Sequence, residues 1–252
     1  MIWKPSDSRR DFIRLSTGVG LGLIVSSCAS GQPASSSEKA ENTPAPQKND
    51  KEAEVTATED LMREHGILRR AFLIYQETAV KLRTNSSALL PEALQKTAKL
   101  FRTFGEDYHE KALEETYIFP AVKKAGGAAA AYTDILLAQH QRGREITDFI
   151  IAATQNGKIS TNNIEPLAKA MEAFALMYQN HAAREDTIIF PAWKQTMNAK
   201  QLDEIGDKFE DIEHVQFGKD GFEDAVRQIG EIENSLGFAD LAQFTAPPPP
   251  KL

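Results

Sequence analysis

Apolar residues recur along this chain at helical intervals, and no stretch keeps a period of two for long. Leu61, Ile67, Leu68, Phe72 and Leu82 share a helical spacing that predicts a first helix over 58–84. Asn85 and the two serines after it break that helix. Pro91 suits the first turn of a second helix running to about residue 124, where Gly126 and Gly127 end it. A third helix is predicted over 129–155, stopping at Asn156 and Gly157. Ser160 is placed to cap a fourth that runs to about 196, with Pro166 close to its start. Pro120 and Pro191 fall inside helices two and four and predict a kink or the final turns there. A fifth helix over 199–217 and a sixth over 222–236 follow. Residues 240–244 form a short docking segment, and Pro247–Pro250 an extended polar tail. The prediction is an all-α chain with a four-helix bundle over 57–197, a helical extension over 198–245 and a tail over 246–252.

The polar residues set into these helices repeat. Residues 180–192 read Asn-His-Ala-Ala-Arg-Glu-Asp-Thr-Ile-Ile-Phe-Pro-Ala, and 108–121 read Tyr-His-Glu-Lys-Ala-Leu-Glu-Glu-Thr-Tyr-Ile-Phe-Pro-Ala. His181 and Glu185 are four apart, about 40° around a helix, so one ion can be held by both. Upstream, His65 and His140 each follow a leucine by four, Leu61 and Leu136. His65 precedes His140 by 75 positions, and His109 precedes His181 by 72. The chain therefore reads as a duplicated helix pair. Each pair brings one lone histidine and one histidine with carboxylates, and closes on itself as a bundle rather than a solenoid. A single His–Glu pair is more often a surface ion pair; the duplication reverses that reading.

His65, His109, Glu114, His140, His181 and Glu185 are six inward-pointing candidates for a dinuclear metal site. Mixed imidazole and carboxylate ligands suit iron and manganese, and carboxylates can bridge two ions. Glu110 is a seventh candidate. His109 and Glu114 are five apart, about 140° on a regular α-helix. A π-bulge between Tyr108 and Glu115 is predicted to bring them together. On a regular helix, Glu110 with Glu114, or His109 alone, would serve instead.

The net charge of −7 and the absence of a basic stripe argue against nucleic acid as a partner. The single cysteine excludes an intrachain disulfide framework. Ser8-Arg9-Arg10-Asp11-Phe12 resembles a twin-arginine export signal, and the apolar run from Leu15 ends at Cys28 in a sequence resembling a lipoprotein cleavage site. Residues 1–28 are read as a signal peptide with Cys28 lipidated. Residues 29–56, rich in Ser, Pro, Glu and Lys, are read as a disordered linker. This predicts an exported protein tethered to a bacterial membrane by a lipid anchor.

The pattern His65 … His109-Glu110-x3-Glu114-Glu115-x3-Phe119-Pro120 … His140 … His181-x3-Glu185-x4-Phe190-Pro191 resembles the hemerythrin-like family, also called the HHE cation-binding domain, over roughly residues 57–197. The resemblance implies an up-down-up-down four-helix bundle with a non-haem di-iron centre that binds O2 or a related small oxidant. The sequence departs from the oxygen carriers at Arg144, which stands where they have a fifth histidine. That favours variants in which a further glutamate compensates, with Glu110 the candidate, and places a cation that can hold an anion. Three functions follow: a di-iron protein for O2 or iron sensing, storage or detoxification; a di-iron enzyme reducing peroxide or nitric oxide; and a metal-free helical scaffold for an unidentified protein partner. Manganese or zinc fits the same ligands.

Overall fold

The structure, a computed structural model, describes residues 55–85 and 91–250. The signal peptide, Cys28 and almost all of the linker lie outside the described residues. Helix α1 spans Ala57–Asn85. Helix α2 covers residues 91–125 in three runs. Pro91–Leu100 is α-helical, Phe101–Ile118 is π-helical and Phe119–Ala125 is α-helical again. Helix α3 is Gly127–Thr154. Helix α4 covers residues 164–194, with a π-helical turn at Glu185–Ile189 between α-helical runs. Helices α5 (Ala199–Phe217) and α6 (Gly221–Leu236) follow, then a 3-10 turn at Leu241–Phe244. No strand occurs among the described residues.

Helices α1 to α4 form the bundle. α1 packs along α4, α2 along α3, and α3 along α4. The extension lies outside it, with α5 against α1 and the π-helical run, and α6 against α1 and the first turns of α2. The ends are set by local chemistry. Thr56 caps α1 reciprocally: its hydroxyl accepts from the Glu59 N–H at 3.3 Å and its own N–H donates to Glu59 Oε2 at 2.8 Å. Asn198 and Gln201 form the same box at α5. Ser160 makes no side-chain cap; a 3-10 turn at Thr161–Asn163 leads into α4. Gly126 turns the chain between α2 and α3 at φ 77°, a conformation that costs a side-chain-bearing residue energy.

The bundle core divides into two zones. Phe72, Phe101, Phe174 and Tyr178 pack with ring centroids 4.6–6.2 Å apart, and Tyr75 joins them at 5.3 Å from Phe174. Burying each such ring stabilises the fold by about 1.5–3 kcal/mol. Two turns before Phe72 on the same face of α1 stands His65, and there the core becomes polar. A second aromatic patch ties down the extension: Trp193 stacks on Phe209 at 5.7 Å, and Phe217 meets Tyr108 at 5.4 Å.

Candidate metal centre

Four histidines from four helices meet in the polar zone: His65 on α1, His109 on α2, His140 on α3 and His181 on α4, all buried. They form two facing couples. His65 Nε2 lies 3.0 Å from His109 Nε2, and His140 Nε2 lies 3.0 Å from His181 Nε2. Two glutamates stand between the couples. Glu114 places Oε1 3.4 Å from His109 Nε2 and Oε2 3.4 Å from His140 Nε2. Glu185 places Oε2 3.5 Å from His65 Nε2 and Oε1 2.9 Å from His181 Nε2. Each carboxylate thus spans both couples with one oxygen apiece. Six of the seven residues singled out from the sequence as ligands converge.

The helical geometry makes this convergence possible. In the i→i+5 pattern of Phe101–Ile118 one turn holds an extra residue, so His109 and Glu114, five apart, face the same way. The predicted bulge is there, but the wide turns extend well beyond 108–115, and α4 has its own at Glu185–Ile189. The Phe119 N–H bonds to Glu114 O and the Phe190 N–H to Glu185 O, both reaching back five residues. Pro120 and Pro191, which carry no N–H, follow at once and open the final α-helical turns.

The other ring nitrogen of every histidine is held by an acceptor. His65 Nδ1 meets Asp186 at 2.7 Å, His109 Nδ1 meets Glu64 at 2.6 Å, His140 Nδ1 meets Glu115 at 2.9 Å and His181 Nδ1 meets Gln139 at 2.9 Å. An oxygen at each Nδ1 puts the proton there and leaves the Nε2 lone pair facing the centre. Phe190 stacks on His65 and Phe119 on His140, both at 5.4 Å, and fix the ring planes. These partners obey the duplication. Glu64 and Gln139 precede the lone histidines, and Glu115 and Asp186 follow the bridging glutamates. Sequence reasoning passed over Glu64 and Gln139, although their matched positions in the repeat were the available signal.

Glu110 is placed apart from the six. Its Oε1 accepts from the Tyr178 hydroxyl at 2.7 Å, and its Oε2 lies 3.9 Å from His140 Nδ1, behind that ring. Next in sequence to His109, it is swung off the centre-facing side of the helix. Arg144 occupies the space where Glu110, Glu115 and His140 Nδ1 approach one another, at 3.3 Å from Glu110 and 2.6 Å from Glu115. Its guanidinium is engaged by these carboxylates rather than free for an added anion. His214 is exposed on α5 and belongs to none of these clusters.

The electrostatics call for a cation. Burial pushes the Glu114 and Glu185 carboxyls up, yet the surrounding histidines hold Glu114 below and Glu185 well below the ordinary carboxyl value. Burial depresses the imidazoles. At His65 the Asp186 and Glu185 contacts outweigh it, and at His109 those of Glu114 and Glu64 do so by a wide margin. His140, among Glu110, Glu114 and Glu115, is raised to about 10, while His181 remains lowered. All four oxygens of Glu114 and Glu185 are buried without a hydrogen-bond partner. Buried carboxylate oxygens without an aligned hydrogen bond are costly. Two cations, one per histidine couple, each bound by one oxygen of each glutamate, would satisfy every one of these atoms. The residues therefore fit a dinuclear metal group, with imidazole and carboxylate donors of the kind that iron, manganese and zinc accept.

A four-helix bundle with such a core defines a class of cation-binding helical proteins. The chain belongs to the hemerythrin HHE cation-binding domain family, whose model matches residues 56–193. It is also 40% identical over 238 residues to proteins from two strains of Mycobacterium tuberculosis and one of Mycobacterium bovis, covering 94% of this chain and 90% of each relative; all three are described as uncharacterized. No solved structure matches the chain.

Proposed function

We propose that this is a non-haem di-iron protein that binds or reacts with O2 or a related small oxidant. The reading is carried by the pair of buried carboxylates, Glu114 and Glu185, each reaching both histidine couples. Bound iron would supply one-electron redox chemistry and coordination positions open to a diatomic or peroxide ligand. The chain's own residues do the rest. His65 and His109 would hold one ion and His140 and His181 the other, with Glu114 and Glu185 supplying carboxylate ligands to both. Phe119 and Phe190 exclude water beside the rings. Export by the twin-arginine route and anchoring through Cys28 belong to the same proposal, since that route carries proteins already folded around their cofactors.

The test is metal content by mass spectrometry after expression with iron, with the absorption spectrum recorded before and after exposure to air. Two irons per chain and an oxygen-dependent near-ultraviolet band are expected. Zero or one metal per chain with the helical fold intact would overturn the reading.

A second reading is enzymatic, turnover of peroxide or nitric oxide. It is favoured by the Tyr178–Glu110–Arg144 group behind His140, of which Tyr178 and Glu110 are buried, which provides hydrogen-bonding protons next to that ring. Sustained peroxide or nitric oxide consumption by the iron-loaded chain, lost in Tyr178→Phe without loss of metal, supports it; a single stoichiometric reaction favours binding.

A further inference from the structure

Three side chains link the extension to one of the candidate metal ligands. Phe217, the last residue of α5, meets Tyr108 edge-on with ring centroids 5.4 Å apart. The Tyr108 hydroxyl donates to Glu64 Oε1 at 3.3 Å, and Glu64 Oε2 meets His109 Nδ1 at 2.6 Å. Tyr108, Glu64 and His109 are all buried. A carboxylate engaged at both oxygens resists turning, and the imidazole bound to it keeps its plane.

The corner between α5 and α6 is built around Phe217. The buried Glu213 carboxylate of α5 accepts from the Phe222 N–H of α6 at 2.6 Å, which ties the two helices across the turn. Gly221 opens α6 directly against the Phe217 ring, where a Cβ would stand 2.3 Å from Cδ2. Phe104 flanks the same ring at 6.2 Å. The duplication shows what is particular to this arrangement. One repeat on, Phe104 and Tyr108 correspond to Leu176 and Asn180. Leu176 is 62% exposed, and Asn180 turns its amide back to Leu176 O at 2.9 Å. The aromatic pair therefore belongs to the repeat that the extension covers.

From this chain of contacts, and resting on the dinuclear reading above, we propose that Phe217 is a positioning residue for the metal centre. Pressed onto Tyr108, it keeps the hydroxyl on Glu64, and Glu64 keeps His109 turned with Nε2 toward the ion. The site does not end with the residues that match the family, 56–193; the last turn of α5 completes its support.

The test is anaerobic titration of the metal-free full chain with Co2+, read by d–d absorption and calorimetry, with circular dichroism as the check on folding. Changes in supporting partners alter metal affinity about 10–100-fold, and a partner loosened rather than removed belongs at the low end. Phe217→Ala, Gly221→Ala and Tyr108→Phe are each expected to weaken one of the two Co2+ about 10-fold and to alter its d–d bands. Gly221→Ala acts from α6 by displacing the ring, and Tyr108→Phe keeps the ring and removes only the hydroxyl, so misfolding of one variant leaves the others decisive. Phe217→Tyr keeps the ring and should retain the affinity of the unaltered chain. Phe217→Ala combined with Tyr108→Phe should cost no more than the larger single loss, since both break one chain of contacts. Folded variants that lose stability yet keep the affinity and bands of the unaltered chain would overturn the proposal, as would losses that add in full. Tighter binding in Tyr108→Phe would overturn it too, because that is the sign expected if the hydroxyl acted only by drawing charge from Glu64. Failure of the unaltered chain to bind any Co2+ would overturn the dinuclear reading itself, and the role of Phe217 with it.

Discussion

Gly143 lies in the middle of α3, where glycine normally weakens a helix, because Tyr178 from α4 presses into the space a side chain would need. A Cβ there would stand 1.9 Å from the Tyr178 hydroxyl oxygen. Gly143→Ala is expected to destabilise the fold by about 1–3 kcal/mol, measured by urea unfolding, and Tyr178→Phe on top of it should recover part of that loss. One turn along α3, Thr147 donates at 2.6 Å to Glu106, a fully buried carboxyl. Arg102 Nε lies 2.8 Å from the other Glu106 oxygen without the alignment of a hydrogen bond, so the contact is ionic. Burial outweighs Thr147 and Arg102 and raises the Glu106 carboxyl from 4.5 to about 7. The unfolded chain releases this proton near the ordinary value, while the folded chain keeps it until about 7. Stability from this group is therefore full at acid pH, falls as pH rises from 4.5 to about 7, and stays low above that. Glu106→Gln should remove up to about 3 kcal/mol of that fall, visible as a flatter pH dependence in denaturant unfolding. Neither Glu106 nor Thr147 was legible in the sequence, where a lone acid or threonine in a helix looks like a solvated surface residue. The four histidines, Glu114 and Glu185 were legible because duplication set them in matching contexts. Glu110, whose counterpart in the second repeat is Ala182, did not share that context, and the backbone's turn separates it from the centre.

Among the elements, the helices themselves were readable to within a few residues, since glycines, prolines and caps bound them. The π-helical runs were not. The five-residue spacing of His109 and Glu114 demanded one wide turn, but nothing in the sequence marks Phe101–Ile118 as wide throughout or gives α4 a second wide turn, where His181 and Glu185 already have α-helical spacing. Lys111 is exposed in the middle of the longer run. Its deletion would bring His109 and Glu114 to four apart. One wide turn can absorb the change by reverting to α-helical bonding, with both flanks kept in register. We expect metal stoichiometry and circular-dichroism helicity to survive that deletion. Loss of half the metal would mean that the wide run, beyond its one extra residue, holds the site together.

For the molecule as a whole, the extension beyond the family-matched residues is part of the fold's stability. Phe209, Phe222, Ile229, Ile232 and Phe238 are buried against the bundle, and Arg70 on α1 pairs with Glu233 on α6 at 2.8 Å. Each buried side chain contributes about 1.5–3 kcal/mol at most. Truncation after Met197 should therefore lower the melting temperature by more than about 10 °C or leave the chain insoluble. Metal should act in the opposite direction. Free cation at about 100 times its Kd stabilises the folded chain by about 2.7 kcal/mol, a rise of roughly 5–11 °C that a chelator reverses in differential scanning fluorimetry.

The two halves of the chain are also crossed at the centre. Glu114, from the first repeat, reaches His140 in the second; Asp186, from the second, holds His65 in the first, 121 positions earlier. A ribosome that has released only the first helix pair has therefore made His65, His109 and Glu114, with Glu64 already beside His109, but not Asp186, which orients His65, nor His140, His181 and Glu185, which complete the centre. A nascent or proteolysed chain ending before residue 181 has no closed cage to offer. Tight metal uptake becomes possible only after synthesis has passed the fourth helix, so retention of the ion sorts finished molecules from fragments.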